Sequence, residues 1–181
     1  MKKITILLLS CYAFLFCLIG YKLYLTLTHP IKYQNEITFA CQENNLSKSL
    51  IASIVNTESS YNSNARSSKN ALGLMQIKLS TANYMCELYS LEKVTELDLL
   101  NPQTNLNFGC LYLTYLKNKF SDTWTALAAY NAGETRVRVW LKNSQYSSDG
   151  KTLKLIPFKE TKNYIEKIKN NVNFYKKIYE N

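Results

Sequence analysis

Glu58 is the residue of this chain best placed to transfer a proton. It follows an apolar stripe in which Leu50, Ile51, Ile54 and Val55 recur at the spacing of one helix face. A helix that continues to Glu58 brings its carboxyl group against these apolar side chains, where desolvation raises the pKa. A carboxylic acid that stays protonated near neutral pH can act as a general acid. The alternative is a solvated glutamate at the edge of an amphipathic helix.

Other chemistries lack the residues that they need. The stretch from Ser59 to Cys86 contains no Asp or Glu, which indicates proton transfer by Glu58 without a carboxylate partner. Nucleophilic cysteine chemistry needs a base, and the only histidine, His29, lies at the end of the N-terminal apolar segment. We therefore expect neither a catalytic cysteine nor a Cys/His metal site.

The elements that must position Glu58 are nearly all helical. The pattern of apolar residues and turn signals predicts helices at 35–43, 47–58, 81–89, 102–119, 121–131, 135–141 and 159–179. A short strand or turn is expected around Gly73, and Gly109 is expected to allow close packing of its helix. Residues 143–154 are predicted to form a polar loop that contributes nothing to the core. The predicted fold class is all-α, or α+β at most.

The N-terminal segment predicts a membrane anchor. Residues 4–27 carry one charge, Lys22, and the uninterrupted apolar run at 4–21 is long enough to span a bilayer. We expect a signal anchor at 1–27, a linker at 28–34 and one domain at 35–181, on the outer side of the cytoplasmic membrane. Cleavage as a signal peptide is the alternative, although no small-residue cleavage site follows the run. The run also continues past Cys11, which argues against lipidation there.

Charge and cysteine content narrow the class of partner. The 181 residues carry a formal net charge of +9, and the basic residues of the last helix alternate with apolar ones. A moderate excess of positive charge suits an acidic polymer or an anionic membrane surface. The last helix is predicted to be a basic amphipathic helix with a solvated face, without the dense basic cluster of a nucleic-acid-binding protein. The domain contains Cys41, Cys86 and Cys110. Because three is an odd number, one disulfide at most can form, and the sequence does not choose the pair.

Several short motifs carry a resemblance to a known family. In chain order they are Glu58-Ser59, Ala65 with Ser67, Gly73 to Ile77, Thr81-Ala82, Asn105-Leu106 with Gly109, Tyr112-Leu113, Ala129 to Gly133, and Glu160-Thr161 with Tyr164. In this order they resemble the catalytic domain of the soluble lytic transglycosylases, lysozyme-like enzymes that cleave bacterial peptidoglycan. The resemblance covers roughly residues 37–179 and implies a lysozyme-like domain. Asn70 stands where the family usually has glycine, and Leu79 where it has proline.

The resemblance implies a reaction that uses one carboxyl group twice and no cofactor. Glu58 would protonate the oxygen between N-acetylmuramic acid and N-acetylglucosamine, while the 2-acetamido group of the substrate meets the developing charge at C1. The resulting carboxylate would then take the proton of the C6 hydroxyl, which closes on C1. The product is a 1,6-anhydromuramoyl end, formed without water.

The resemblance also implies substrate-binding roles for residues around Glu58. They are Ser67, Met75, Gln76, Tyr130, Asn131, Glu160 and Tyr164. Ser67 would lie near the acetamido group, and Met75 and Gln76 would line the cleft. Tyr130 would offer a ring to a sugar and a hydroxyl to the intermediate. Glu160 could instead be an acid that simply favours a helix start.

Two other functions remain open at this point. One is a goose-type lysozyme-like hydrolase, which a well-placed aspartate in the cleft would favour. The other is a non-catalytic glycan-binding or scaffold role in a secretion or conjugation apparatus. The sequence does not distinguish cleavage at chain ends from internal cleavage, nor does it show a need for stem peptides. The expected partners are peptidoglycan strands, the cytoplasmic membrane and such an apparatus, but not nucleic acid.

Overall fold

The computed structural model describes residues 2–30, 32–120 and 122–179. The chain divides into two compact units, Met1–Lys32 and Tyr33–Asn181. Its elements are α1 Lys2–Thr28, α2 Gln34–Asn44, α3 Lys48–Ser59, β1 Ala71–Leu72, β2 Ile77–Lys78, α4 Leu79–Tyr89, the 3₁₀ helix Asp98–Leu100, α5 Pro102–Lys119, α6 Thr123–Ala132, α7 Glu134–Leu141 and α8 Lys159–Tyr179. The prediction of a mainly helical fold with a short strand near Gly73 is confirmed.

The first unit is formed by α1, a single helix of 27 residues. Its described side chains include large apolar groups that are exposed, such as those of Leu9, Phe14 and Phe16. Across the residues that the structure describes, no helix reaches the length and hydropathy expected of a membrane span. Helix α1 ends at Thr28 and α2 begins at Gln34.

Three helices of the second unit, α3, α5 and α6, begin where a capping side chain accepts hydrogen bonds from their first backbone N–H groups. The Oγ of Ser47 accepts a hydrogen bond from the N of Leu50 at the start of α3. Asn101 caps α5 in the same way, with Pro102 at the first helical position. The Oδ1 of Asp122 accepts from the first residues of α6, so this helix begins at Thr123. The predicted start of that helix, residue 121, lies outside the described residues.

The core of the second unit lies around α3 and α5. Ile51, Ile54 and Val55 of α3 have no exposed surface, which confirms the apolar stripe expected in front of Glu58. Helix α3 packs against α8, while α5 packs against α2, α4 and α6. Gly109 lies where α5 meets the β1–β2 turn, and a Cβ atom there would collide with the side chain of Met75.

A small antiparallel hairpin pairs Leu72 with Ile77 and forms one side of the cleft that is described below. Its turn is held by the buried amide of Asn105 in α5. The Nδ2 of Asn105 donates to the carbonyls of Leu72 (2.8 Å) and Leu99 (2.7 Å), and its Oδ1 accepts from the N of Met75 (2.7 Å). Three hydrogen bonds from one buried side chain fix the turn on the core.

The loop between α7 and α8 differs from the prediction. It was expected to contribute nothing to the core, but Tyr146 and Leu153 pack against it. The Oδ1 of Asp149 accepts from the backbone N of Lys151 and of Thr152, both at 2.8 Å, and so forms a compact turn. The polar composition of the loop did not indicate this ordered turn, because the turn is held by hydrogen bonds between the carboxylate of Asp149 and nearby backbone N–H groups.

Candidate active site

A cleft of about 680 Å³ opens beside the end of α3, between the hairpin and the α6–α7 junction. It contains six of the eight residues that the sequence assigned to the site: Glu58, Ser67, Gln76, Tyr130, Asn131 and Glu160. These residues come from α3, the segment before β1, the hairpin turn, α6 and α8. Met75 and Tyr164 do not line the cleft and are described below.

Glu58 lies in the last turn of α3 and is half-buried. The next residue fixes this helix end, since the Oγ of Ser59 donates to the carbonyls of Val55 (3.2 Å) and Leu74 (2.9 Å). Burial raises the pKa of Glu58 from 4.5 to about 7, and this effect outweighs the hydroxyl of Tyr164 and the charge of Lys167, which both lower it. Near neutral pH the group therefore exists in both protonated and ionised forms, as a proton donor and acceptor must.

The hydroxyl of Tyr164 lies next to Glu58 but below the cleft surface. The residue is 8% exposed, and within the described chain its hydroxyl oxygen has no partner with regular hydrogen-bond geometry. Burial, and then the negative charge of Glu58, hold the pKa of Tyr164 well above 10. Tyr164 is thus a neutral hydroxyl that stabilises the ionised form of Glu58 rather than a residue on the cleft wall.

Tyr130 connects α6 with the hairpin turn. Its hydroxyl donates a 2.8 Å hydrogen bond to the backbone carbonyl of Met75, and burial raises its pKa well above 10. The hydroxyl proton is therefore already used, so the expected donation to a reaction intermediate would require this bond to break. The half-buried ring still lines the cleft and can pack against a sugar.

Met75 differs from its predicted place. Its side chain has no exposed surface and packs against Gly109 of α5, so direct contact with a substrate in the cleft is not supported. Its contribution comes from the backbone, where the N–H donates to Asn105 and the carbonyl accepts from Tyr130. The sequence places Met75 next to Gln76, but it does not show that the side chain of Met75 packs against Gly109, 34 residues later.

Ser67 and Gln76 present opposite hydrogen-bonding groups to the cleft. The Oγ of Ser67 accepts from the backbone N of Lys69 (3.3 Å) and Ala71 (3.0 Å), so its own proton is left to donate. The Nε2 of Gln76 donates to the carbonyls of Ala65 (3.3 Å) and Gly73 (2.9 Å), which leaves its Oε1 to accept. Ser67 thus suits a substrate acceptor and Gln76 a substrate donor.

Asn131 and Glu160 occupy the other side of the cleft. The Oδ1 of Asn131 accepts from the Oγ1 of Thr161 at 2.8 Å, so its Nδ2 remains as the donor group. Glu160 forms an ion pair with Lys69 at 3.3 Å, in which both side chains are about 70% exposed (71% and 69%). A pair so exposed is screened by water and stabilises the fold little.

The cleft also contains residues that sequence reasoning did not assign to the site. Tyr112 lines it, with its ring centroid 5.3 Å from that of Tyr130. Lys78 and Arg136 add positive charge to the rim together with Lys69. Position within a motif was the available signal for Tyr112, whereas nothing in the local pattern marked the basic residues. Within the described residues, no group of three or more His, Cys, Asp or Glu side chains could hold a metal ion.

A helical domain with one half-buried glutamate in a cleft beside a small hairpin defines a lysozyme-like protein. Comparison with family models makes this specific, since the model of the transglycosylase SLT domain matches residues 35–153. The chain therefore belongs to the transglycosylase SLT domain family, and the resemblance expected from its motifs is confirmed.

Named relatives agree with this family. The chain is 36% identical over 142 residues to the soluble lytic murein transglycosylase of Salmonella typhimurium, which covers 77% of this chain and 22% of that protein. It is 36% identical over 160 residues to a putative soluble lytic murein transglycosylase of Haemophilus influenzae, covering 87% and 27%. It is 44% identical over 75 residues to the membrane-bound lytic murein transglycosylase E of Buchnera aphidicola, covering 39% and 33%. The match thus spans about a quarter of the soluble relatives.

Solved structures share the fold. A 70-kDa soluble lytic transglycosylase in complex with bulgecin A has a TM-score of 0.76 and 30% identity, over 88% of this chain and 27% of that one. The lytic transglycosylase Slt of Pseudomonas aeruginosa, in an inactive mutant in which a glutamate is replaced by glutamine, has a TM-score of 0.74 and 28% identity, over 84% and 25%.

Proposed function

We propose that this protein is a peptidoglycan lytic transglycosylase, which cleaves the β-1,4 bond between N-acetylmuramic acid and N-acetylglucosamine and leaves a 1,6-anhydromuramoyl end. The observation that carries the proposal is Glu58 in the cleft, with a pKa of about 7. Among the described residues lining this cleft the other carboxylate is Glu160, which is exposed and paired with Lys69. One acid with a balanced pKa suits a reaction that uses the same group first as acid and then as base.

The first step is protonation of the leaving oxygen by Glu58. As the bond to C1 breaks, positive charge develops on the muramic sugar, and the oxygen of its own 2-acetamido group attacks C1 in place of a protein carboxylate. Ser67, with a free hydroxyl proton, is the donor that we assign to this acetamido group. The acceptor of Gln76 and the donor of Asn131 would hold polar groups of the neighbouring sugars.

The second step uses the carboxylate that the first step leaves behind. Glu58 removes the proton of the C6 hydroxyl, and that oxygen displaces the acetamido oxygen from C1, which regenerates the protonated acid. The neutral hydroxyl of Tyr164, which lies next to Glu58, favours the carboxylate between the two steps because it lowers the pKa of Glu58. The ring of Tyr130 would pack against the sugar that is being closed.

The proposal is tested by mass spectrometry of the fragments that the purified protein releases from peptidoglycan sacculi. Anhydromuramoyl products are expected from the wild type and should be lost in Glu58→Gln, which keeps shape but removes the acid. Glu160→Gln, the same change at the exposed acid of the cleft, is the matched control and should retain most activity. Products heavier by one water molecule would instead identify a hydrolase, and binding without products would identify a glycan-binding scaffold.

We further propose that α1 anchors the protein in the cytoplasmic membrane with the second unit outside. The support is the apolar sequence at 4–21 and the exposed apolar side chains along the described part of the helix. Some relatives are named as membrane-bound enzymes. Cell fractionation of the full chain should place it with membranes, and the double substitution Leu15→Arg, Ile19→Arg should release it. The double substitution Leu15→Ser, Ile19→Ser is the control, since it changes the same two positions without adding charge.

A transglycosylase held at the membrane could open the wall locally. We infer that assembly of a secretion or conjugation apparatus is one setting in which the enzyme would act. Co-purification of the full chain with membrane complexes, compared in cells with and without the apparatus, tests this setting separately from catalysis.

A further inference from the structure

A chain of hydrogen bonds outside the cleft connects its two walls. The hydroxyl of Tyr115, in α5, donates to the Oε2 of Glu134 at 3.1 Å. Since its own proton is used there, Tyr115 accepts from the hydroxyl of Tyr84, in α4, at 3.3 Å. Tyr84 follows the cleft residue Thr81 by one turn on the same side of α4, and Glu134 directly follows the cleft residue Gly133. Tyr84 and Glu134 therefore continue the two walls beyond the cleft.

A row of tyrosine rings leads from the cleft to this link. The ring centroids of Tyr130 and Tyr112 lie 5.3 Å apart, and both residues line the cleft. Tyr112 stacks on Tyr115 at 6.2 Å, and Tyr115 meets Tyr84 in a T-shaped contact at 5.9 Å. Tyr115 is 8% exposed, with the ammonium of Lys119 5.3 Å from its ring centroid, whereas Tyr84 is 47% exposed. Tyr84 is thus the accessible end of the row, and Tyr115 supports it.

We propose that Tyr84 is a glycan-binding residue outside the cleft, and that its ring packs against a sugar of the same strand that Glu58 cleaves. This subsite rests on the proposed function, to which it adds a contact with a more distant part of the strand. The ring of a tyrosine offers an apolar face to the C–H groups of a sugar. Because the hydroxyl is already bonded to Tyr115, the ring is held in place before the strand binds and loses little freedom on binding.

The ion pair beside Tyr115 suits an uncharged sugar better than a peptide carboxylate. The Nε and Nη2 of Arg138 donate to the Oε1 of Glu134 at 2.9 and 2.7 Å, so the two charges compensate each other. This pair leaves the Nη1 of Arg138 to donate to a hydroxyl or acetamido oxygen. An aromatic face next to a donor whose charge is balanced matches a neutral N-acetylated sugar.

Tyr89, on the same helix, shows what an ordinary exposed tyrosine looks like. It is 42% exposed, which is close to the value for Tyr84, but it lies five residues later on another side of α4. Among the described residues, its hydroxyl has no hydrogen-bond partner and its ring no aromatic neighbour. Tyr84 therefore differs from Tyr89 in how it is held rather than in how far it is exposed.

The first test is binding of peptide-free glycan strands to the full chain in detergent, in the Glu58→Gln background so that no strand is cleaved. Adding Tyr84→Ala should raise the Kd about three- to tenfold, the range expected for the loss of one aromatic contact. Peptide-bearing strands should show the same factor, because the ring contacts the sugar. An unchanged Kd, or an effect seen with peptide-bearing strands alone, would overturn the proposal.

Two further variants separate the ring from general effects of mutation. Tyr84→Phe keeps the ring and should bind within about twofold of the Glu58→Gln parent. Tyr89→Ala removes an equally exposed ring from the same helix and should also stay within about twofold. A loss in either variant as large as that in Tyr84→Ala would contradict the assignment of the effect to the ring of Tyr84.

Cleavage assays with Glu58 intact separate this subsite from the proposed function. Tyr84→Ala should raise KM for peptide-free strands by the same factor and leave kcat unchanged, since a distant sugar is held equally in the ground state and the transition state. A fall in kcat with constant KM would mean that the substitution disturbs the cleft, and it would sink the proposal. If the wild type releases no anhydromuramoyl products but Tyr84→Ala still weakens binding, the proposed function fails while the subsite stands.

Discussion

The hydroxyl of Tyr130 and the backbone carbonyl of Met75 are joined by a 2.8 Å hydrogen bond across one end of the cleft. This bond ties α6 to the hairpin turn, and Asn105 ties the same turn to α5. Both ties act on Met75, the residue before Gln76. The turn that presents Gln76 is therefore held from two sides before any substrate arrives, as preorganised sites require.

Removing this hydroxyl should weaken both the fold and the reaction. Tyr130→Phe keeps the ring but leaves the buried carbonyl of Met75 without its donor, at a cost of about 1–3 kcal/mol in the free energy of unfolding. The loosened turn should also lower kcat/KM, by roughly tenfold, which is the loss expected from about 1.4 kcal/mol at the transition state. Chemical denaturation and initial rates of cleavage measure the two effects.

Tyr112→Phe is the matched control for Tyr130→Phe. It removes a hydroxyl from the neighbouring ring of the same cleft, and no hydrogen bond of that hydroxyl is found among the described residues. Its free energy of unfolding should stay within about 0.5 kcal/mol of the wild type. Equal stability of wild type and Tyr130→Phe would show that the 2.8 Å bond contributes nothing.

The pH dependence of cleavage should follow Glu58. The first step needs the protonated acid, so kcat/KM should fall by about tenfold per pH unit above the pKa of the free enzyme. That pKa is raised by burial to about 7. Initial rates on sacculi between pH 5 and 9 locate the midpoint. Glu160→Gln should leave the midpoint in place, whereas a midpoint near the ordinary value of 4.5 would contradict the assignment.

The stability of the fold should also depend on the ionisation of Glu58. It should fall as the pH rises, whereas a salt-bridged acid makes stability rise with pH. The pKa of Glu58 is about 7 in the folded protein and close to 4.5 in the unfolded chain, so the folded state binds more protons between these values. The free energy of unfolding therefore falls as pH rises from 4.5 to 7. Glu58→Gln cannot ionise, and its thermal midpoint should exceed that of the wild type increasingly over this range. A constant difference across it would mean that burial does not raise the pKa.

Local chemistry was sufficient to predict the helices and the apolar stripe in front of Glu58. The bounds of α5 and α8 agree with the predicted 102–119 and 159–179, since Asn101-Pro102 is a strong helix start and the last helix has an unbroken apolar stripe. Asn70 and Gly133 adopt the positive φ values of 57° and 95° that their residue types favour. Each of these features depends on residues within one or two turns of chain.

What could not be predicted depends on distant contacts. Gln76 offers an acceptor rather than a donor to the cleft because its Nε2 already donates hydrogen bonds to the carbonyls of Ala65 and Gly73. The burial of Met75 is decided by Gly109 on another element. No local pattern records which backbone atoms will lie opposite a side chain, so the residues of the site were found by their motifs while their hydrogen-bonding roles were not.

Asn105 should be among the residues most sensitive to substitution outside the cleft. Asn105→Ala removes three buried hydrogen bonds and leaves the carbonyls of Leu72 and Leu99 and the N–H of Met75 unsatisfied. We expect a loss of about 3 kcal/mol or more in the free energy of unfolding. Asn107→Ala, on the same helix, is the control, since its Oδ1 accepts one bond from Gln103 within α5. Similar losses in the two variants would argue against a special role of Asn105.

The contact between Gly109 and Met75 should couple the core to the hairpin turn. In an exposed helix, replacing glycine with alanine stabilises by up to about 1 kcal/mol. Here the added Cβ collides with the side chain of Met75, so Gly109→Ala should instead destabilise the protein and lower cleavage by shifting the turn that carries Gln76.

Shortening the side chain of Met75 should relieve part of this destabilisation, because the clash involves the Sδ and Cε of Met75 as well as its Cβ. A double-mutant cycle with Met75→Ala, read by chemical denaturation, should give a coupling energy of about 1 kcal/mol or more in the rescuing direction. Strict additivity would show that the two residues do not press on one another.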